Sequence, residues 1–356
     1  MDRVGRPQAR LAAGGTDDDD DHELSGRAVR RGVAMAITHS AFVLAATGIL
    51  VAAGSSVGKI ERLDASLDAL IAPDAVIEKV AGDFRFTEGP LWRPDGTLWF
   101  SDVQGDVIRS VTPSGQVKVL IQHAGGASNA PVDAFIGSNG MAQAPDGSVW
   151  VVQHGARQIA RITANHTLTP VVSRFEGKRL NSPNDLVFAK DGALYFTDPP
   201  YGLAKQDDDP AKELSFNGVY RFAKGRLQAV VRDLNRPNGL AFSPDGKTLY
   251  VNNSDPAKNL VMRYDVAADG TLTNGRVFAD ITSKVDGLAD GLKVDAKGNL
   301  YTAGPGGIWV LSPTGKHLGT IAPPEAPANC AWGDDGKTLY ITAVTSIYRI
   351  KTLVGR

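Results

Sequence analysis

Six polar residues stand at one position of a recurring pattern: Glu88, Asn139, Asn184, Asn238, Asp290 and Asn329. Two are carboxylates and four are amides, all carrying hard oxygen donors. Brought to one point, they suit Ca2+ or Mg2+ better than a soft-ligand metal. Two negative charges would balance one divalent ion. Without a cation, the crowding would raise the pKa of one of the carboxyls. The same groups could instead cap strand ends around a water-filled channel. Acids and amides together at one repeat position favour the metal.

The elements that must position these residues are legible around them. Each polar start leads into a short apolar strand, a turn glycine seven or eight residues on, and an aromatic eleven or twelve residues on: Trp99, Trp150, Tyr195, Tyr250, Tyr301 and Tyr340. Asp-Gly turns between apolar runs predict hairpins, because glycine accepts the positive φ the turn demands. A third strand follows (VIRSV at 107, IARI at 159, VYRF at 219, VMRY at 261, IWVL at 308, IYRI at 347), then a fourth such as VKVLI at 117. Four antiparallel strands per repeat, with starts 39 to 54 residues apart, predict an all-β, six-bladed β-propeller of four-stranded antiparallel blades. The sixth copy ends without room for a fourth strand. The segment VIEKVA at 76–81 is predicted to complete that last blade and close the ring. In a propeller the first strand of each blade lines the axis, so the six polar residues form a ring at one depth.

The motifs FTEGPLW, LNSPNDLVF, FTDPPYG, ELSFNGVYRF, RPNGLAFSPDG, ADGLKVD and NCAWGDDGKTLYITA, in this order over 76–356, resemble the gluconolactonase / senescence-marker-protein / luciferin-regenerating enzyme family, in particular its bacterial gluconolactonase-like branch. The resemblance implies a six-bladed propeller with one axial divalent ion, Ca2+ first and Zn2+, Mg2+ or Mn2+ as alternatives. It implies Glu88, Asn184, Asn238 and Asp290 as the ligands, and opening of a small sugar lactone by metal-activated water. Asp290 is implied as the general base, with Asp198, at the end of a neighbouring strand, as the alternative. Some members carry an arginine where this chain has Ser182, which turns attention to Asn181 beside it as a substrate contact. His154 and the two remaining ring residues, Asn139 and Asn329, are assigned to the same substrate face. Organophosphate or aryl-ester hydrolysis on the same ion is the second enzymatic reading, and a non-catalytic periplasmic binding propeller the third.

Composition narrows the rest. The balance of 38 Lys+Arg against 39 Asp+Glu leaves no basic stripe, which argues against nucleic acid as a partner. One cysteine, Cys330, excludes an internal disulfide framework and a Cys-rich zinc site. Residues 1–54 read as an acidic disordered start, a basic stretch at Arg27, Arg30 and Arg31, and an apolar run ending in Ala52-Ala53-Gly54. That pattern predicts a cleaved export signal, a periplasmic or secreted protein, and no stable membrane span after cleavage. Residues 55–75 are expected to be a linker. Ser56 sits in a G-x-S-x-G match, but without the strand and helix a nucleophile elbow requires.

Overall fold

The structure, a computed structural model, describes residues 56–127 and 134–356. The expected export signal and its cleavage site lie outside the described residues. Among the described residues, six antiparallel sheets follow one another as blades. Blade one comprises Thr87–Trp92, Leu98–Asp102, Val107–Val111 and Val117–Gln122. Blade two comprises Ser138–Gln143, Val149–Gln153, Gln158–Ile162 and Leu168–Val172. Blade three is Leu186–Phe188, Leu194–Asp198, Gly218–Ala223 and Arg226–Val231, and blade four is Pro237–Phe242, Thr248–Asp255, Lys258–Val266 and Leu272–Asp280. Leu292–Val294, Leu300–Gly304, Gly307–Leu311 and His317–Ala322 make blade five. Pro327–Gly333, Thr338–Ala343 and Ser346–Lys351 make most of blade six. The innermost strand of each blade touches that of the next, and blade six touches blade one, so the ring is closed.

Local chemistry explains the repetition. At the tip of each inner hairpin, Gly96, Gly147, Gly192, Gly246, Gly298 and Gly336 have φ between +77° and +85°, a region in which a side chain is strained. In five of the six an aspartate precedes the glycine and folds back on the turn: Asp95 Oδ1, for example, accepts from Thr97 N at 3.1 Å. The aromatic on each second strand then packs toward the following blade. Tyr195 lies among blade-four side chains, Tyr301 among those of blade six, and Tyr340 stacks on Trp92 of blade one at 5.4 Å. Fully burying an aromatic of this size contributes roughly 1.5–3 kcal/mol, so the six positions form the apolar glue between blades.

The strand Ile77–Ala81 pairs antiparallel with Ser346–Lys351, Ile77 opposite Ile350, and completes blade six as expected. The expected linker is corrected in part. Lys59–Arg62 adds a fifth, outer strand to blade five, pairing with His317–Ala322. It leads into a short 3-10 turn, Ala65–Ala69, capped by Asp64. Leu67, Leu70 and Ile71 of this segment are buried against blades five and six. Alternation of apolar residues over so few positions was too weak to predict a strand. Among the described residues no helix is long and apolar enough to cross a membrane.

Candidate functional site

Each ring residue sits where the sheet ladder is interrupted. In blades one, two, four and six the pairing of the inner strand shifts between Glu88 and Leu91, Ser138 and Met141, Pro237 and Leu240, and Pro327 and Asn329. In blades three and five the inner strand starts just beyond Asn184 and Asp290. A bulge bends the strand and re-aims a side chain, here toward the axis. The residue after the ring position is then pressed against the neighbouring blade. A Cβ on Gly89 would lie 2.1 Å from the Asn139 carbonyl oxygen, and one on Gly239 would lie 2.3 Å from that of Asp290. Only glycine fits.

The ring side chains touch in succession. Asn139 Nδ2 donates to Asn184 Oδ1 (2.9 Å), and Asn184 Nδ2 donates to Asn238 Oδ1 (2.6 Å). The Asn238 and Asp290 side chains are hydrogen-bonded, and the Asp290 and Glu88 carboxyls meet closely enough to share a hydrogen bond. Asn329 Nδ2 donates to Glu88 Oε2 at 3.0 Å, which returns the chain of contacts to blade six. Glu88, Asn184, Asn238 and Asp290 are therefore brought together, and Asn139 and Asn329 flank them. All are buried except Asp290, which keeps partial solvent contact.

Electrostatics mark the same place. Burial pushes the Glu88 carboxyl up to about 7 against the opposing Gly89 N–H, with Asp185 adding to the rise. Burial, then the Glu88 and Asp185 charges, hold Asp290 well above the usual carboxylate range. Two carboxyls forced into contact in this enclosure are relieved by a shared proton or a bound cation. Among the described residues no three His, Cys, Asp or Glu side chains form a metal-binding group. A cation here would take two carboxylates together with amide oxygens, and that all-oxygen donor set fits a hard divalent ion.

The remaining predicted residues are placed differently. His154 is fully buried, with Nδ1 3.2 Å from the Phe135 carbonyl, so Nδ1 is the protonated nitrogen. Its Nε2 faces Asn139 Nδ2 at 3.5 Å, and burial lowers its pKa to about 4, keeping the ring neutral at pH 7. Asp198, the alternative candidate base, also holds a corner of the backbone. Its two oxygens accept from Asn181 N and Ser182 N, both at 2.7 Å. At the matching corners, Asp102 Oδ1 accepts from both Arg85 N and Phe86 N in blade one, and Asn253 Oδ1 accepts from Arg236 N in blade four. Burial still pushes Asp198 up to about 7. Asn181, the candidate substrate contact, is fully buried, and its Nδ2 donates to Asp198 O, Phe216 O and Asn217 Oδ1, fastening loops together.

Sequence reasoning missed four groups. Tyr201, from the long segment after blade three's second strand, hydrogen-bonds Ser254 and Asn238 and lies near Asp290. Ser254 accepts from Asn238 Nδ2 at 2.9 Å and donates to the Ala289 carbonyl beside Asp290. Asp185 and Lys293 stand next to the ring. The PPYG and PND motifs contain the first and third, but no local signal aims them at the axis. The segment carrying Tyr201 is tied down: Gly202 N donates to Ser182 Oγ (2.7 Å), Asn217 Nδ2 to Asp207 Oδ1 (3.0 Å), and Arg236 pairs with Asp207.

Fold and site together define a closed six-bladed propeller whose reactive groups are gathered on its axis. The chain belongs to the SMP-30/Gluconolactonase/LRE-like family, whose region matches residues 86–345. It is 40% identical over 311 residues to the gluconolactonase of Zymomonas mobilis, covering 84% of this chain and 87% of that protein. A solved structure of a Xanthomonas campestris gluconolactonase superposes with a TM-score of 0.73 at 32% identity, over 84% of this chain and 97% of that one. The diisopropyl-fluorophosphatase of Loligo vulgaris is 28% identical over 174 residues, 47% of this chain and 55% of that protein.

Proposed function

We propose that this protein is a lactonase that opens sugar lactones with one divalent cation, Ca2+ by donor chemistry, held by Glu88, Asn184, Asn238 and Asp290. The observation that carries the reading is the contact between the Glu88 and Asp290 carboxyls beside the joined amides of Asn184 and Asn238. The near full-length likeness to a gluconolactonase supports the substrate class. When bound, the cation would polarise the lactone carbonyl and lower the pKa of a water molecule.

The chain's own residues supply the rest. Asp290, the partly exposed member of the ring, takes the proton of the attacking water and returns it to the ring oxygen as the acyl C–O bond breaks. Asn139 and Asn329 orient Asn184 and Glu88 through their Nδ2 groups. Neutral His154 steadies Asn139. Asp198 and Asn181 hold the loop on which Ser182 meets Gly202, keeping Tyr201 over the ring.

Purified protein, stripped of metal with a chelator and reloaded, is assayed by pH-stat on glucono-δ-lactone. Activity that vanishes on stripping and returns with Ca2+, Mg2+, Mn2+ or Zn2+ supports the reading; full activity in metal-free protein sinks it. The partial likeness to the fluorophosphatase motivates a parallel assay on a phosphotriester, where faster turnover than on the lactone would favour that second reading. An export signal within 1–54 remains a proposal, checked by N-terminal sequencing of protein from the periplasmic fraction.

A further inference from the structure

We infer that the Lys293 ammonium is a built-in cation of the channel, which fixes the charge there so that one divalent ion is taken up and no second. The inference rests on the cation reading above.

A third carboxylate lies beside the two that face each other. Asp185 follows Asn184 directly and is 5% exposed. Its Oδ1 accepts from Leu186 N at 2.8 Å, and the buried carboxyl also meets the Leu240 N–H and the Asn329 amide. Its charge is felt by both Glu88 and Asp290. Three negative charges would overbalance a divalent ion. The compensating group comes from blade five. Lys293 Nζ donates to the Leu292 carbonyl (3.0 Å) and to Asn329 Oδ1 (3.3 Å), and its charge acts on Glu88 and Asp185. Three carboxylates and one ammonium leave a net charge of two, matched by a single divalent ion.

The same contacts orient Asn329. Its Oδ1 also accepts from Cys330 N at 2.8 Å, so its Nδ2 is the end left to face the Glu88 and Asp185 carboxyls. That commitment separates Asn329, a ring residue that presents N–H groups, from the ligand set. Without the ammonium, Asp185 Oδ2, Asn329 Oδ1 and the Leu292 carbonyl would remain as oxygen donors in an over-negative channel. Such a group attracts a hard cation.

The test counts ions by equilibrium dialysis against Ca2+ followed by elemental analysis. Wild type and Lys293→Arg are expected to hold one ion per chain, Lys293→Gln two, and the double variant Lys293→Gln/Asp185→Asn one. One ion in Lys293→Gln, with affinity within twofold of wild type, overturns the inference. Asp185→Asn on the wild-type background provides a second arm should Lys293→Gln fail to fold. Its Ca2+ dissociation constant is expected to rise about tenfold or more, since a negative charge that attracts the ion is lost from beside the ligands; an unchanged constant overturns the inference. Wild type binding no ion would sink the cation reading itself, a result distinct from the other two.

Discussion

Glu88 and Asp290 lie two hundred residues apart in sequence and meet across the axis, where burial and mutual repulsion raise both carboxyls. For Glu88 the rise is from 4.5 to about 7. A carboxyl raised on folding stabilises the protein fully below its unfolded pKa and loses that contribution as pH rises through the folded value. Chelated protein is therefore expected to lose stability, on the order of a few kcal/mol, between about pH 5 and 8. Saturating Ca2+ should abolish that loss, because the ion favours the ionised pair. Thermal melts with and without chelator read this directly, and a flat profile in chelator would count against it. Asp290→Asn should raise the metal-free melting temperature at pH 8, erase the Ca2+ shift and reduce lactone hydrolysis about 100-fold or more. Asp198→Asn behaves otherwise. It turns one acceptor of a backbone N–H into a donor, so it should cost about 1–3 kcal/mol in denaturant unfolding while leaving Ca2+ affinity within threefold.

At the scale of the element, the bulged inner strand is the device that counts. Its glycine lets one blade's backbone press on the next at the depth of the ring. Gly239→Ala is expected to cost several kcal/mol, since its Cβ would strike the Asp290 carbonyl and the Gly291 Cα, backbone atoms that cannot swing aside. Ca2+ affinity should fall with it. Gly96→Ala, at a hairpin tip with φ +79° and open space around it, should cost only about 1–2 kcal/mol and leave Ca2+ affinity alone. Urea unfolding and calcium titration of the pair separate local strain from damage to the ring.

The whole molecule depends on closure. Blade six takes its outer strand from residues 77–81 and its other three from 327–351, so the two ends of the propeller are joined by one sheet. A chain beginning at residue 83 would leave Ser346–Lys351 as an unpaired edge carrying Ile347 and Ile350. Such edges invite pairing between chains. That truncation is expected to elute as aggregate in size-exclusion chromatography, whereas a chain beginning at residue 56 should elute like the intact protein. The outer strand Lys59–Arg62 and the buried Leu67 and Ile71 give the latter the better start.

Blade number, hairpin positions, the aromatic between blades and the six ring positions were all legible in the sequence. Each is written by short-range chemistry: alternation with period two, Asp-Gly turns, and a repeat long enough to count. The tertiary structure decided which ring members touch. It committed Asp198 and Asn181 to backbone and loop, turned Asn329 toward Lys293, and brought Tyr201 over Asn238. Those outcomes depend on where a bulge aims a side chain and on which blade lies opposite once the ring has closed, and neither is encoded within reach of a single repeat.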